Sequence, residues 1–165
     1  QTMADYENRI YNKTASLFYT STQSGAILSG ANTVTTTALS NYGMNIGMAF
    51  QILDDILDYE GTEEEFGKPV GNDLLQGTVT LPVLLMAQRF PQSVEKLKLS
   101  KEEGRPDRIA EFIVCLRESS VLDESYNIAW NYIDKALRAL SQLPAQKGKQ
   151  DLENLAIYLK QQKFK

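Results

Sequence analysis

The stretch that decides the fold runs from Gly47 to Asp58 and reads GMAFQILDDILD. As a helix, it carries four polar side chains at positions i, i+3, i+4 and i+7, and therefore on one face: Gln51, Asp54, Asp55 and Asp58. The other residues are apolar or small, so we expect the helix to be buried nearly all round except along this polar stripe. Like charges at this spacing repel, and burial disfavours their ionisation further. Either the aspartates take up protons or a cation neutralises them.

Two interpretations of the acidic residues stay open from the pattern alone. Carboxylate oxygens are hard ligands that suit Mg²⁺, an ion that proteins hold with one or two carboxylates together with substrate phosphates. A phosphorylated ligand is then the natural partner of the site. Alternatively, Asp54 to Asp58 is only the acidic, solvated end of a helix.

Helical periodicity extends over most of the chain. Apolar residues recur every three or four positions over residues 5–29, with Asp5 as a candidate N-cap. A second periodic stretch follows the threonine-rich segment 33–37 and ends near Tyr59, although threonines favour strands. No stretch alternates apolar and polar residues over the length of a strand, so the sequence predicts an all-α protein.

Breaker residues divide the rest of the chain. Glycines mark residues 60–80 as a loop, and the length of this loop suggests a function. Pro82 suits the first turn of a helix that is capped by Thr80 and stopped by Pro91. Residues 92–105 are expected to be a solvated connection, and further helices are expected to begin near Pro106, Leu122 and Leu152.

Composition excludes several classes of function. The 165 residues suffice for one domain with a core, and they contain no histidine. The usual zinc sites, Ser-His-Asp triads and histidine bases are thereby excluded. The single Cys115 lies in an apolar run, where we expect it to be buried, and a reducing compartment, the cytoplasm, fits best. No apolar stretch reaches the roughly 18 to 20 residues that span a bilayer, and no signal segment opens the chain.

Charge is distributed unevenly along the chain. The net charge is −4, and residues 1–82 carry three cationic side chains against ten acidic ones. A nucleic-acid partner is therefore not expected. The three cations are Arg9, Lys13 and Lys68, so an anionic ligand bound by this half has few residues to meet it. On their own, Lys13 suits an exposed surface lysine and the glycines around Lys68 suit a simple change of chain direction.

Four segments taken together resemble the trans-isoprenyl diphosphate synthase family in its usual order and approximate spacing. They are Lys13-Thr14-Ala15-Ser16-Leu17, Gly47 through Asp58, Gly67-Lys68-Pro69 to Gly77, and Thr80-Leu81-Pro82. The resemblance covers at least residues 5–82 and implies an all-α fold that is part of an isoprenoid-synthase-type helical bundle. In that family two aspartate-rich motifs face each other across a helical cavity. Only the second is found here, so residues 1–165 are expected to be the C-terminal portion of a single polyprenyl synthase domain.

The resemblance also implies roles for individual residues. The aspartates of the second motif, Asp54, Asp55 and Asp58, match residues that bind Mg²⁺. Lys13 and Lys68 match residues that contact the allylic diphosphate, and Asp73 is expected to support Lys68 or the metal-bound waters. Thr14 and Gln51 match groups whose oxygen dipoles face a developing carbocation. Phe50 either helps to shape the pocket or is a plain core residue.

The implied activity is a prenyltransferase that joins isopentenyl diphosphate to an allylic diphosphate, in a trans 1'-4 condensation, to make a medium- or long-chain polyprenyl diphosphate. We expect Mg²⁺ as cofactor, a homodimer or other self-association, and no turnover by an incomplete chain. One alternative is a non-catalytic helical subunit or half-domain of such a synthase. Another is a relative of class I terpene cyclases, against which the Lys-Thr and Gly-Lys-Pro segments argue.

Overall fold

The computed structural model describes residues 1–61, 70–95, 97 and 107–161. Within those ranges the chain is helical and contains no strand, which confirms the all-α prediction. The helices are α1 (Met3–Ile10), α2 (Ser16–Leu28), α3 (Thr33–Glu60), α4 (Asn72–Leu75), α5 (Leu81–Arg89), α6 (Asp107–Glu118), α7 (Val121–Leu140) and α8 (Lys147–Gln161). A π-helical turn, Tyr11–Ala15, joins α1 to α2 without a break. Residues 91–95 and 97 are also helical.

The chain divides into two compact units. The first comprises Gln1–Tyr6 and Asp54–Tyr126, and its fully buried side chains include Tyr59, Leu116 and Tyr126. The second comprises Glu7–Leu53 and, among the described residues, 127–161. Its core is a cluster of side chains from α3, α7 and α8: Tyr42, Ile46, Ala49, Ile133, Ala136, Leu140 and Ala156. Helix α3 contributes to both units. Its residues up to Leu53 belong to the second unit, and those from Asp54 onward belong to the first.

The first helix begins with a capping box. The Thr2 hydroxyl accepts a hydrogen bond from the Asp5 backbone N–H at 3.2 Å, and the Asp5 carboxylate accepts one from the Thr2 N–H at 2.8 Å. Thr2 is therefore the N-cap and Asp5 is the third helical residue of a reciprocal pair. The prediction that Asp5 is the N-cap was wrong, because the N-cap is Thr2, three residues earlier. The Thr2 N–H and the Thr2 hydroxyl both donate to the Asp5 carboxylate, each at 2.8 Å, and these two bonds lower the pKa of the Asp5 carboxyl.

The threonine-rich segment is helical because a capping residue precedes it. The Asn32 side-chain oxygen accepts a hydrogen bond from the Thr35 N–H at 2.9 Å, and the Thr36 hydroxyl donates to the Asn32 carbonyl at 3.0 Å. A side-chain oxygen in this position satisfies an N–H that the first turn leaves without a helical partner. The strand preference of threonine is overridden, and α3 continues for 28 residues.

The second half departs from the prediction in two places. Within the predicted loop 60–80, the four residues of α4 are helical. The predicted connection 92–105 is wrong for residues 92–95 and 97, which are helical after Pro91, because proline fits the first turn of a helix as well as it stops the preceding one. Thr80 does lie at the N-cap of α5, in extended conformation, but without a side-chain capping bond. Its hydroxyl shares a hydrogen bond with the Tyr59 hydroxyl at 2.9 Å.

Cys115 is exposed, so the prediction that it is a buried filler was wrong. Helix α6 buries Phe112, Ile113 and Leu116, whereas Val114 is 51% exposed. An apolar run of four residues covers more than one turn of a helix, and only part of each turn faces the core.

No helix in the described ranges combines the length and the apolar character that a bilayer-spanning helix needs.

Candidate functional site

Two glycines allow α2 to pack tightly against α3. A Cβ added at Gly47 would lie 2.6 Å from the Ala15 Cα, and one added at Gly43 would lie 2.5 Å from the Phe18 carbonyl oxygen. Both distances are too short for a real side chain, so only glycine permits this approach. Gly43 and Gly47 are one turn apart, and the next residue on the same face is Gln51.

The close packing brings Thr14 to Gln51. The Thr14 hydroxyl donates a hydrogen bond to the Gln51 Oε1 at 2.6 Å, and Gln51 is 3% exposed. Thr14 lies in the π turn, a conformation that is rare in proteins and frequent at functional sites. The donated proton leaves the lone pairs of the Thr14 oxygen available to another group. The structure therefore joins two residues that the sequence assigned to the same role.

The aspartates that follow Gln51 differ in exposure. Asp55 is 3% exposed and Asp58 is 4% exposed, whereas Asp54 is exposed to solvent. The prediction that the polar stripe is left unburied is therefore wrong for Gln51, Asp55 and Asp58, because other elements pack against this face of the helix. The acidic residues are also not simply the solvated end of a helix, since two of the three are buried.

Tyr6 holds Asp55. The Tyr6 hydroxyl donates to the Asp55 Oδ2 at 2.9 Å, and both side chains are buried. A phenol is a neutral donor, so the bond stabilises the carboxylate without neutralising its charge. Sequence reasoning missed Tyr6, because the helical periodicity of residues 5–29 carries no signal for a hydrogen bond to a distant aspartate.

Asp58 accepts two backbone hydrogen bonds from residues 71–73. Its backbone carbonyl accepts a hydrogen bond from the Gly71 N–H at 2.7 Å, and its Oδ2 accepts one from the Asp73 N–H at 3.0 Å. Asp73 lies in the first turn of α4, where backbone N–H groups need an acceptor. Gly71 has φ of 71°, in the left-handed region that favours glycine. Asp58 thus has a structural role besides any role in binding a metal, and the predicted site residue Asp73 lies beside it.

The carboxyl end of α3 is anchored by side chains from other elements of the same unit. The Tyr126 hydroxyl donates to Glu60 Oε2 at 2.6 Å, and the Arg117 guanidinium donates to the carbonyls of Tyr59 and Gly61. Burial raises the pKa of the Tyr59 phenol well above its usual range. The hydrogen bond with Thr80 acts in the opposite direction and is the weaker effect. Sequence reasoning missed Arg117, for which the helical pattern offers no signal.

The remaining predicted residues are less enclosed. Lys13 is exposed, and Lys68 lies outside the described residues. Phe50 is 45% exposed and packs on Phe18 with ring centroids 5.6 Å apart, so its interpretation as a plain core residue was wrong. In the part of the chain that the structure covers, no three His, Cys, Asp or Glu side chains converge on one point as a metal cage would require.

Comparison with known proteins gives one consistent result. The sequence model of the family described as "Polyprenyl synthetase" matches residues 1–116. The chain is 41% identical over 164 residues to heptaprenyl diphosphate synthase component 2 of Bacillus subtilis, covering 99% of this chain and 47% of that protein. It is 37% identical over 155 residues to octaprenyl diphosphate synthase of Haemophilus influenzae, covering 93% and 47%.

Solved structures agree with the sequence matches. Heptaprenyl diphosphate synthase from Staphylococcus aureus matches with a TM-score of 0.88 at 40% identity, covering 97% of this chain and 50% of that chain. A polyprenyl synthase from Caulobacter crescentus, complexed with calcium and isoprenyl diphosphate, matches with a TM-score of 0.85 at 35% identity, covering 96% and 49%. This chain spans about half the length of the relatives that it matches.

Proposed function

Because this chain belongs to the polyprenyl synthetase family, we propose that it acts in a trans-prenyltransferase and supplies the wall of the active site that carries the second aspartate-rich motif. The reaction is the 1'-4 condensation of isopentenyl diphosphate with an allylic diphosphate. Residues 1–165 correspond, in this proposal, to the C-terminal portion of one synthase domain.

The observation that carries the proposal is the polar face of α3. One helix presents Gln51 and the three aspartates within two turns, and Tyr6 and the Asp73 amide hold two of the carboxylates in place. Fixed carboxylates on a rigid helix suit the binding of a charged ligand, because they need no reorganisation when it arrives. The resemblance noted from the sequence assigns the three aspartates to Mg²⁺ binding and Gln51 to the stabilisation of a developing carbocation.

Mg²⁺ is the cofactor that the donor set fits, and Asp54, Asp55 and Asp58 are the residues that would hold it. All three offer hard carboxylate oxygens, and Asp54 is exposed. A site without a closed three-ligand cage also suits Mg²⁺, which keeps waters and shares its coordination with substrate phosphates. When bound, the metal would supply positive charge that stabilises the diphosphate as a leaving group.

The other predicted residues complete the proposal. Thr14 and Gln51 place oxygen atoms beside the developing allylic cation, and their mutual hydrogen bond keeps those oxygens in position. Lys13 and Lys68 contact the allylic diphosphate, and Asp73 supports Lys68 or the metal-bound waters. The role proposed for Lys68 rests on its position in the Gly67-Lys68-Pro69 segment alone, because Lys68 lies outside the described residues.

The names of the relatives support a medium- or long-chain product, since those quoted are a heptaprenyl and an octaprenyl synthase. The name "component 2" in Bacillus subtilis indicates that the synthase there has a further component. For this chain we keep the proposal of a homodimer or other self-association. We propose the cytoplasm as its location, because its one cysteine has no second cysteine with which to form an internal disulfide.

Binding of a non-hydrolysable allylic diphosphate tests the site. In the protein that carries this chain, we expect binding that requires Mg²⁺ and is lost when Asp54 and Asp55 are both replaced by alanine. Asp54→Asn alone should weaken binding without changing stability, because Asp54 is exposed. Asp151→Asn, at an exposed aspartate of α8, is the matched control and should bind like the wild type. Unchanged affinity in the double variant would refute the site.

One alternative is a non-catalytic helical subunit or half-domain of such a synthase. Turnover by the protein that carries this chain discriminates between the two proposals, because only the prenyltransferase elongates farnesyl diphosphate. We expect the 165 residues alone to show no elongation of farnesyl diphosphate by isopentenyl diphosphate, because they contain one aspartate-rich motif of the two that the family uses. Elongation by the isolated chain would show that the second motif suffices.

A further inference from the structure

Arg117 lies at the end of α6 and binds two backbone carbonyls at the end of α3. Its Nε donates to the Tyr59 carbonyl at 2.6 Å, and its Nη2 donates to the Gly61 carbonyl at 2.8 Å. Tyr59 directly follows Asp58 of the candidate site, and Gly61 lies three residues after Asp58. All of these residues belong to the first compact unit.

The last carbonyls of a helix have no partner within the helix, and they form the negative end of its dipole. A guanidinium is suited to this position, because its planar fork of positively charged donors reaches two acceptors at once. A lysine ammonium is a single point of charge without this fork. The chemistry therefore favours arginine over lysine at residue 117.

Helix α6 also lies close to Gly71. A Cβ added at Gly71 would lie 2.6 Å from the Ile113 Cδ1, and Ile113 is one helical turn before Arg117. Helix α6 thus meets the chain on both sides of residues 62–70, at Gly61 through Arg117 and at Gly71 through Ile113. The Gly71 N–H in turn bonds to the Asp58 carbonyl.

We propose that Arg117 is a positioning residue for the aspartates of α3: by holding the Tyr59 and Gly61 carbonyls, it fixes the last turn of the helix and with it Asp58 and the amides that Asp58 binds. The predicted effect of Arg117 on ligand binding rests on the proposed function. Its predicted effect on hydrogen exchange at the end of α3 is independent of that function.

Hydrogen exchange and ligand binding, measured on the same variants, separate these consequences. In Arg117→Ala we expect the amides of Gly61, Gly71 and Asp73 to exchange about tenfold faster or more, as expected for losing hydrogen bonds from a charged donor. The amide of Ile133, in the core of the other unit, should be unchanged. The dissociation constant for the Mg²⁺-dependent diphosphate analogue should rise about 10- to 100-fold, the range seen when the partners of metal ligands are removed.

Two further variants make the test specific. Arg117→Lys keeps the charge but not the fork, so it should recover only part of the affinity; full recovery would show that charge alone suffices and would overturn the two-carbonyl clamp. Arg89→Ala removes an arginine of the same unit that pairs with Glu124 at 3.0 Å on the surface, and it should change neither measurement.

The remaining outcomes also decide the question. Normal affinity in Arg117→Ala, with wild-type protein that binds the analogue, would refute the positioning role. Faster exchange spread evenly over all helices, Ile133 included, would refute it as well, because it would show a general loss of stability. If the wild-type protein does not bind the analogue, the proposed function fails, and the exchange pattern alone then decides whether Arg117 holds the end of α3.

Discussion

At the scale of single residues, the polar side chains of α3 are distinguished by their partners. Tyr6 donates to Asp55, and Asp58 accepts from the backbone of α4. The spacing of the aspartates along the sequence was enough to place them on one face. It was not enough to predict their burial, because burial depends on which distant residues pack against that face. Tyr6 is 49 residues from Asp55, a separation that helical periodicity does not address.

Tyr6→Phe tests the bond that holds Asp55. The change removes a donor from a buried carboxylate and leaves the ring in place, so we expect the free energy of unfolding to fall by about 1–3 kcal/mol. Urea denaturation monitored by circular dichroism measures it. Tyr158→Phe, at a tyrosine that is 58% exposed, is the control and should be neutral. Equal stability of the two variants would show that the Tyr6 hydroxyl contributes nothing to the fold.

Thr14→Val tests the pairing with Gln51. Valine keeps the shape of threonine but removes the donor to Gln51 Oε1, so the free energy of unfolding should fall by about 1 kcal/mol. Thr14→Ser keeps the hydroxyl and should retain most of that free energy. The two variants are compared by thermal unfolding at equal concentration. A serine variant less stable than the valine variant would show that the methyl group, rather than the hydrogen bond, is what matters at this position.

At the scale of helices, the packing of α2 against α3 has a regular register. The pairs Thr22 with Gly43, Phe18 with Gly47, and Thr14 with Gln51 step backward along α2 and the π turn as they step forward along α3. This is the register of two antiparallel helices that approach closely, and glycine is required where the backbones nearly touch. The tight approach sets the distance between Thr14 and Gln51.

Gly47→Ala tests this packing. The new methyl group would lie 2.6 Å from the Ala15 Cα, so the helices must separate, at a cost of about 1–3 kcal/mol that exceeds the gain of at most about 1 kcal/mol from better helix propensity. Gly25→Ala is the matched control in α2, because nothing lies within 4 Å of its added Cβ. It should stabilise the protein. Stabilisation by both changes, measured in urea, would contradict the close approach.

The helices themselves were predictable from sequence to a large extent. Apolar periodicity indicated α1 to α3 and α7 as continuous helices, because their buried faces repeat at the helical period. The short α4 was missed, since four residues hold too little of that period, and its N–H groups depend on Asp58 rather than on local sequence. The π turn was missed because it changes the hydrogen-bond ladder without changing the residue types.

At the scale of the whole molecule, the second unit exposes several large apolar side chains on α2 and the start of α3. Leu28 is 87% exposed, Leu17 is 66% exposed and Val34 is 61% exposed. Such side chains support self-association when they are grouped. We expect sedimentation equilibrium to detect dimers or larger species, and Leu28→Lys to shift the equilibrium towards monomer without changing the helical content. A monomeric wild type at high concentration would contradict this proposal.

The pH dependence of stability should carry the signature of phenols whose pKa is raised in the folded state: the buried Tyr42 and Tyr59 and the half-buried Tyr132. Burial raises the pKa of Tyr42 to about 12, and burial together with the hydrogen bond to Glu7 raises that of Tyr132 to about 12. In the unfolded chain a tyrosine ionises near pH 10. Above that pH the unfolded state binds fewer protons than the folded state, so the stabilisation is complete below pH 10 and is lost as the pH rises through about 12.

Tyr42→Phe isolates one of these contributions. The Tyr42 hydroxyl donates to the Leu152 carbonyl at 2.8 Å within the core of the second unit, so the variant should lose about 1 kcal/mol of stability at pH 7. Between pH 10 and 12, its urea midpoint should fall less steeply than that of the wild type, because one buried phenol no longer titrates. Tyr158→Phe should keep the wild-type slope. Identical slopes in all three proteins would show that Tyr42 ionises as easily in the folded state as in the unfolded chain, and its burial would then play no part in alkaline stability.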